Sequence, residues 1–446
     1  MMYAMLAAAT IPTPSPAQLR YMATDFIALI HFNMGTFAHN GDPCCDATNW
    51  DVKAPYATGK TRDPATFNPV KLNTTQWFDS INALGANIAI LTAKHGCGFL
   101  LWPTAATLPD GSAYGYNVGA KGAAIQRDVL REFVDAADAA GVGYGFYYSI
   151  MKSFYLCHSY SGTNSCGEKI LAGQHNVSAA EYKAIVDTHV REIWQNYGSM
   201  TEVWVDSQLG GFGALMDQLQ PQAVGTPRNP TGWCGTESGH PSRDVGGADV
   251  WLTGDGYHGD PDSPKFNPKF CDPQLFEDHV WFWEPNLKVR SLAEMVPIYH
   301  DIVGRGMVME LAFSIDRDGL VEDTHAATYS ALGSWVQRCY GTPVASTSGR
   351  GSTLALAALP AAADRVQLIE DVAEGQRVRN YTLEARAPNA TSWAPLVSAS
   401  AIGRKRIHLL ATPVAAGAAL RLRVTNATAP PVLAQFAAFA AAPCAV

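Results

Sequence analysis

Short apolar runs recur through the first three-quarters of the chain, and the stretches between them carry apolar residues at helical spacing. The runs are residues 26–32 (FIALIHF), 87–93 (NIAILTA), 142–148 (VGYGFYY), 201–206 (TEVWVD) and 307–313 (MVMELAF). A strand that is apolar throughout, rather than at alternate positions, is covered on both faces, as strands of a parallel sheet are. The intervening segments 72–85, 125–141, 179–198 and 291–304 each close on Gly, the usual helix stop. Strands and helices in alternation predict a (β/α)8-like barrel or a doubly wound sheet. No Gly-rich phosphate-binding turn follows the first run, which lowers the dinucleotide-binding option.

Past residue 341 the pattern changes. Residues 342–352 are rich in Ser, Thr and Gly and read as a linker. Short alternating segments follow at 365–370, 377–385, 406–410 and 419–424, separated by turns rich in Gly, Pro and Asn, which predicts a small antiparallel β-sandwich. The expected domains are therefore 1–342, a barrel, and 353–446, a sandwich. Two domains also suit 446 residues, more than one hydrophobic core usually organises.

The formal charge of −8 argues against nucleic acid or an anionic membrane as a partner. No apolar run is long enough to span a bilayer. Nine Cys leave at least one unpaired within the chain, and none sits at zinc-site spacing, so no metal is expected. Cys157 and Cys166 bracket a polar stretch and would close a surface loop as a disulfide. Five N-x-S/T sequons, at Asn73, Asn176, Asn380, Asn389 and Asn426, favour a secretory route. Residues 1–10 are small and apolar, like the end of a signal peptide, but lack a basic region. The expected location is extracellular, or vacuolar or lysosomal. Eleven Trp and seventeen Tyr supply flat apolar faces of the kind on which sugars stack.

Polar residues fall where such runs end. His95 follows the second, Tyr147 and Tyr148 end the third, and Asp206 ends the fourth. Barrel enzymes build their active sites at the C-terminal ends of the strands.

Seven segments in order resemble glycoside hydrolase family 29, the α-L-fucosidases, and in particular the branch with plant and bacterial α-1,3/4-fucosidases. They are 29–37 (LIHFNMGTF), 91–104 (LTAKHGCGFLLWPT), 145–149 (GFYYS), 202–206 (EVWVD), 233–239 (WCGTESG), 280–285 (VWFWEP) and 316–321 (DRDGLV). The resemblance continues through the sandwich, in DRVQLIEDVAEGQRVRNYTLEA and IGRKRI. It implies a retaining, exo-acting, cofactor-free enzyme that takes terminal fucose from oligosaccharides or glycoprotein glycans. Such an enzyme needs two carboxyl groups about 5–5.5 Å apart across the anomeric carbon. The resemblance makes Asp206 the nucleophile and Glu237 the acid/base. Glu310, Glu277 and Glu284 are rivals for the second role. A core carboxylate paired with Arg305 or His300 is the structural alternative for Glu310. His31, His95, Tyr147, Trp204, Trp50 and Trp283 would surround the sugar.

The sequence departs from the family pattern at three places. Gly96-Cys97 replaces a His-Asp pair, Asn49-Trp50 replaces Glu-Trp, and Phe270 replaces the Glu of a Glu-Cys-Asp segment. Altered affinity or altered choice of aglycone is the expected consequence. The alternatives are a related α-L-glycosidase, such as an α-L-galactosidase, and a non-catalytic carbohydrate-binding protein.

Overall fold

The computed structural model describes residues 11–37, 63–150, 152–158, 170, 173–206, 211–247, 249–277 and 280–444. The first domain runs α1 (Pro16–Met22), β1 (Phe26–His31), α2 (Met34–Phe37), α3 (Thr74–Leu84), β2 (Ile88–Lys94), α4 (Val129–Ala140), β3 (Gly143–Ser149), α5 (Ala179–Asn196) and β4 (Glu202–Asp206). It continues through α6 (Gly213–Leu219), β5 (Gly232–Trp233), α7 (Pro241–Asp244), β6 (Lys269–Cys271), α8 (Leu292–Ile302), β7 (Val308–Ser314) and α9 (Asp323–Tyr340).

The strands form one sheet in the order β4-β3-β2-β1-β7-β6-β5, parallel at every pairing. Every residue of β1, β2 and β7 is buried, as uninterrupted apolar runs require. The sheet has seven strands among the described residues, where eight were expected. Val224 alone stands beside β4, on the edge that β3 leaves open. Its N–H donates to the Thr201 carbonyl (3.0 Å), and its carbonyl accepts from the Val203 N–H (2.9 Å). Pro221, Pro227 and Pro230 surround it and cannot donate to a ladder, so pairing at this seam does not extend.

Helices cover the outer face. Their starts carry the capping that their sequences advertise: Asp128 accepts from the Arg131 N–H, and Ser178 and Ser291 form capping boxes with Glu181 and Glu294. α3 and α4 stop on Gly85 and Gly141, both left-handed. Inside the sheet lies a second, smaller core. Ile27, Leu29, Ile88, Ile90, Tyr147, Val308 and Phe270 contribute to it, and Ala17 and Tyr21 of α1 pack against it from below.

The second domain comprises β8 (Ala345–Arg350), β9 (Thr353–Leu356), β10 (Ala363–Glu370), β11 (Val378–Arg386), β12 (Ala394–Ser400), β13 (Arg406–Val414), β14 (Ala419–Ala427) and β15 (Val432–Phe439). They make two four-stranded antiparallel sheets, β13-β10-β15-β8 and β12-β11-β14-β9, around a shared apolar core. The stretch 342–352, expected as a linker, largely belongs to the sandwich: β8 pairs with β15. Its Ser, Thr and Gly residues form an edge strand with alternating exposure rather than a tether. Arg404 fixes the sandwich beneath the barrel, donating to the carbonyls of Met22, Thr24 and Met307 and, with Lys405, to the Asp25 carboxylate. Disulfides join Cys234 to Cys271 and Cys339 to Cys444.

Candidate active site

The C-terminal ends of β1 to β4 bring four of the expected residues together. Tyr147 and Trp204 are register partners on β3 and β4, so their rings stack, with centroids 4.8 Å apart. His95, just past β2, stacks on the other face of this row, 5.1 Å from Tyr147. His31, the last residue of β1, lies 5.8 Å from His95 and 5.9 Å from Tyr147. Burial pushes the His31 imidazole down to about 3 and His95 well below its ordinary value. Both rings are therefore neutral at physiological pH, each with one donor and one acceptor nitrogen, a combination suited to hydroxyl groups. His31 Nδ1 is buried without a hydrogen-bond partner among the described residues.

Asp206 closes β4. Side chains alternate along a strand, so Glu202, Trp204 and Asp206 share one face. The Tyr147 hydroxyl donates to Asp206 Oδ2 at 2.7 Å. Lys94 ends β2 nearby, buried, with its ammonium donating to the carbonyls of Ser149 and Lys152 at 2.5 Å each. Burial lowers Lys94 to about 7, and the negative charge of Asp206 opposes that shift.

Glu237 lies on the loop after β5. It lines the same cavity as Asp206, of about 610 Å³, together with Glu202, Trp204, Trp233, Phe270 and Asp272. Gln274 holds it: the Gln274 N–H donates to the Glu237 carbonyl (3.2 Å) and the side-chain amide to its carboxylate (3.4 Å). Asp272 follows β6, is almost wholly buried, and accepts from Trp233 Nε1 at 2.5 Å. Burial, and then the charge of Glu237, raise the Asp272 carboxyl well above its ordinary value. The Cys234–Cys271 disulfide clamps the ends of these two strands together.

Trp283 is placed differently from the other expected sugar contacts. Its indole N–H donates to Glu322 (2.7 Å), Arg317 lies 5.6 Å over its ring, and it is not among the cavity-lining residues. Its neighbours are the ones that meet the histidines: Trp281 lies 4.6 Å from His31, and Phe282 is edge-on to both His31 and His95. Trp50 and Asn49 lie outside the described residues, as does Cys166. Cys157 is disulfide-bonded, and so is Cys97, which is buried. The Gly96 and Cys97 carbonyls accept from the N–H groups of Phe154 and Tyr155. The departure at 96–97 is thus part of a cross-linked, backbone-paired segment, not a bare gap beside the sugar. Phe270, the third departure, lines the cavity edge-on to Trp204.

Glu310 pairs with neither Arg305 nor His300; its partners are Tyr21, Trp204 and Glu202. Sequence reading missed Asp272, Lys94 and Phe282 as site residues. The strand-end rule that found Asp206 also applies to Asp272, which follows the buried strand KFC. Lys94 had its signal too, a charge within a buried run.

Carboxylates facing one cavity among stacked aromatic rings, at the C-terminal mouth of a parallel barrel-like sheet, define a glycoside hydrolase. Comparison with known proteins narrows the class. The α-L-fucosidase family profile matches residues 46–341, and the chain belongs to that family, glycoside hydrolase family 29. It is 24% identical over 489 aligned positions to α-L-fucosidase 1 of Arabidopsis thaliana, covering 95% of this chain and 86% of that one. A solved structure of a Bacteroides thetaiotaomicron protein assigned the same activity superposes with a TM-score of 0.82 at 25% identity, over 96% of this chain and 99% of the other. A Ruminococcus gnavus family 29 fucosidase, solved in complex with fucose, shares the fold with a TM-score of 0.74 at 18% identity, over 97% and 96% of the two chains.

Proposed function

We propose that this enzyme is a retaining exo-α-L-fucosidase in which Asp206 is the nucleophile and Glu237 the acid/base. The observation that carries the reading is the single cavity onto which both carboxyls open, with Tyr147 holding Asp206. In the first step an Asp206 oxygen bonds to the anomeric carbon. The bond to the leaving oxygen breaks, and Glu237 gives that oxygen its proton. In the second step Glu237 takes a proton from water, the water oxygen bonds to the same carbon, and Asp206 leaves. Two inversions give net retention.

Environment separates the acid from its neighbour. Asp272 is buried behind Trp233, whereas Glu237 is only half-buried and faces the cavity. Asp272 places a second carboxyl beside Glu237, and two carboxyls this close in a cavity wall do not both ionise readily.

Fucose suits the walls. The neutral rings of His31 and His95 match its hydroxyls, while Trp204 and Phe270 offer an apolar surface for its 6-methyl. α-L-Galactose would place a hydroxyl against the same surface. The fucose found in the Ruminococcus gnavus structure supports this choice. The natural substrate is a fucosylated oligosaccharide or glycoprotein glycan. Export from the cell is part of the reading: the disulfides belong to an oxidising compartment, and all five sequon asparagines are exposed. Release of fucose from α-1,2, α-1,3, α-1,4 and α-1,6 linked oligosaccharides tests the reading, with matched α-L-galactosides as controls. Fucose release from at least one linkage is expected. Galactose release alone, or binding without turnover, would overturn it.

A further inference from the structure

Beneath the pocket, two carboxyl groups meet where no Lys or Arg among the described residues pairs with them. Glu310 is central in β7 and Glu202 begins β4; three strands separate these two in the sheet, so their side chains meet across the barrel interior. Glu310 is fully buried and Glu202 almost so. The Tyr21 hydroxyl donates to Glu310 Oε1 (2.7 Å) and the Trp204 indole to Oε2 (2.9 Å). Glu202 hydrogen-bonds to Glu310 as well. The groups acting on the two carboxyls are each other, Tyr21 of α1 and Trp204 of β4, and none of these is a Lys or Arg. Arg404 acts on Tyr21, and the Glu310 charge reaches Asp272 beyond β6. Two unpaired carboxylates in such a place cost far more than one carboxylate and one acid.

We propose that Glu202 and Glu310 are positioning residues that share one proton, with Glu202 the neutral donor and Glu310 the charged acceptor that fixes the indole of Trp204. Trp204 stacks on Tyr147, and Tyr147 donates to Asp206, so the pair acts on the nucleophile through two aromatic rings. Its single negative charge also reaches Asp272, beside Glu237, and raises that carboxyl. The asymmetry has a geometric basis. Each Glu310 oxygen accepts a hydrogen bond, one from Tyr21 and one from Trp204, which favours a carboxylate there, whereas Glu202 Oε2 is buried without a hydrogen-bond partner among the described residues. Two donors on Glu310 and none there on Glu202 place the proton on Glu202. The inference deepens the fucosidase reading and rests on it.

The two amide variants separate the roles. Glu202→Gln keeps a donor toward Glu310 and leaves the Glu310 charge in place, so it should lower kcat for an aryl α-L-fucoside clearly less than Glu310→Gln does and should not shift the alkaline limb of the pH profile. Glu310→Gln loses the charge, and one oxygen must serve two donors. Its kcat should fall roughly ten-fold or more with little change in KM. The alkaline limb of kcat/KM should move to lower pH, because a negative charge near the acid has gone. Equal damage from both variants, or a Glu310→Gln profile that overlays the parent, overturns the proposal.

Thermal unfolding followed against pH reads the pair without any substrate. A carboxyl held above its ordinary value of 4.5 stabilises the fold below that pH, and the contribution is lost as pH rises through the raised value. The parent should therefore lose Tm with rising pH faster than Glu202→Gln. Parallel curves contradict the shared proton. This arm also decides the matter should Glu310→Gln fail to fold, and it stands even if the parent cleaves no fucoside.

Discussion

Asp206 and Tyr147 meet because adjacent parallel strands hold Trp204 beside Tyr147, which leaves the Tyr147 hydroxyl pointing past the row at the last carboxylate of β4. A hydrogen bond to a charged group is worth about 1.5–3 kcal/mol, so Tyr147→Phe should lower kcat/KM for an aryl α-L-fucoside by roughly 10- to 100-fold. The fold should survive, since the ring keeps its stack, and a matching far- and near-ultraviolet circular dichroism spectrum would show that. Glu237 is tested by leaving group. Its proton matters most for a poor leaving group, so Glu237→Ala should nearly abolish cleavage of oligosaccharides. It should largely spare the first step on an aryl fucoside with an acidic phenol. Asp272→Asn should affect both substrates to a similar degree. If Asp272→Asn instead shows the leaving-group pattern, the acid is Asp272.

Among the elements, β4 is closely confined where it begins. A Cβ on Gly145 of β3 would lie 2.0 Å from the Glu202 carbonyl oxygen, so the two strands approach as they do only because position 145 is bare. Gly145→Ala should cost about 1–3 kcal/mol of stability, read as a lower Tm. It should also reduce activity by displacing Trp204 and Asp206. Strands β1 to β4 and β7 were legible because their runs are almost wholly apolar, and α3, α4, α5 and α8 because their own residues cap them. Asp206, His31 and His95 were legible for a related reason: a polar residue ending such a run has few places to point. The seam at Val224 was hidden, since a one-residue strand leaves no periodicity. The edge strand β8 was hidden as well, because half of a solvent-facing strand reads as a polar linker. Glu310's partners could not be read at all; they come from α1 and β4, distant in sequence and brought together only by the curl of the seven-stranded sheet. Cys97 was read as a missing polar group, and only the fold reveals it as half of a disulfide.

At the level of the whole molecule, barrel and sandwich are tied through Asp25, Arg404 and Lys405. Burial would raise the Asp25 carboxyl, but Lys405 and Arg404 overcome it and hold the group well below the usual carboxylate range. Its contribution is therefore present above the ordinary value of 3.8 and lost as pH falls toward the depressed one. Asp25→Asn should destabilise by roughly 3–5 kcal/mol at neutral pH, because it leaves two buried cations without their counter-charge. The gap between variant and parent should hold from neutral pH down to about pH 4 and narrow only below it, as thermal unfolding followed from about pH 5 to about pH 2 would show. The proposed mechanism turns on one bond, between Asp206 and the anomeric carbon. A 2-deoxy-2-fluoro-α-L-fucosyl donor with a reactive leaving group should let that bond form and slow its hydrolysis, so peptide mass spectrometry can locate the sugar. One fluorofucosyl group per chain is expected, on Asp206, formed as activity is lost. A label on Glu237, Asp272 or Glu310, or inactivation with no label on Asp206, would contradict it.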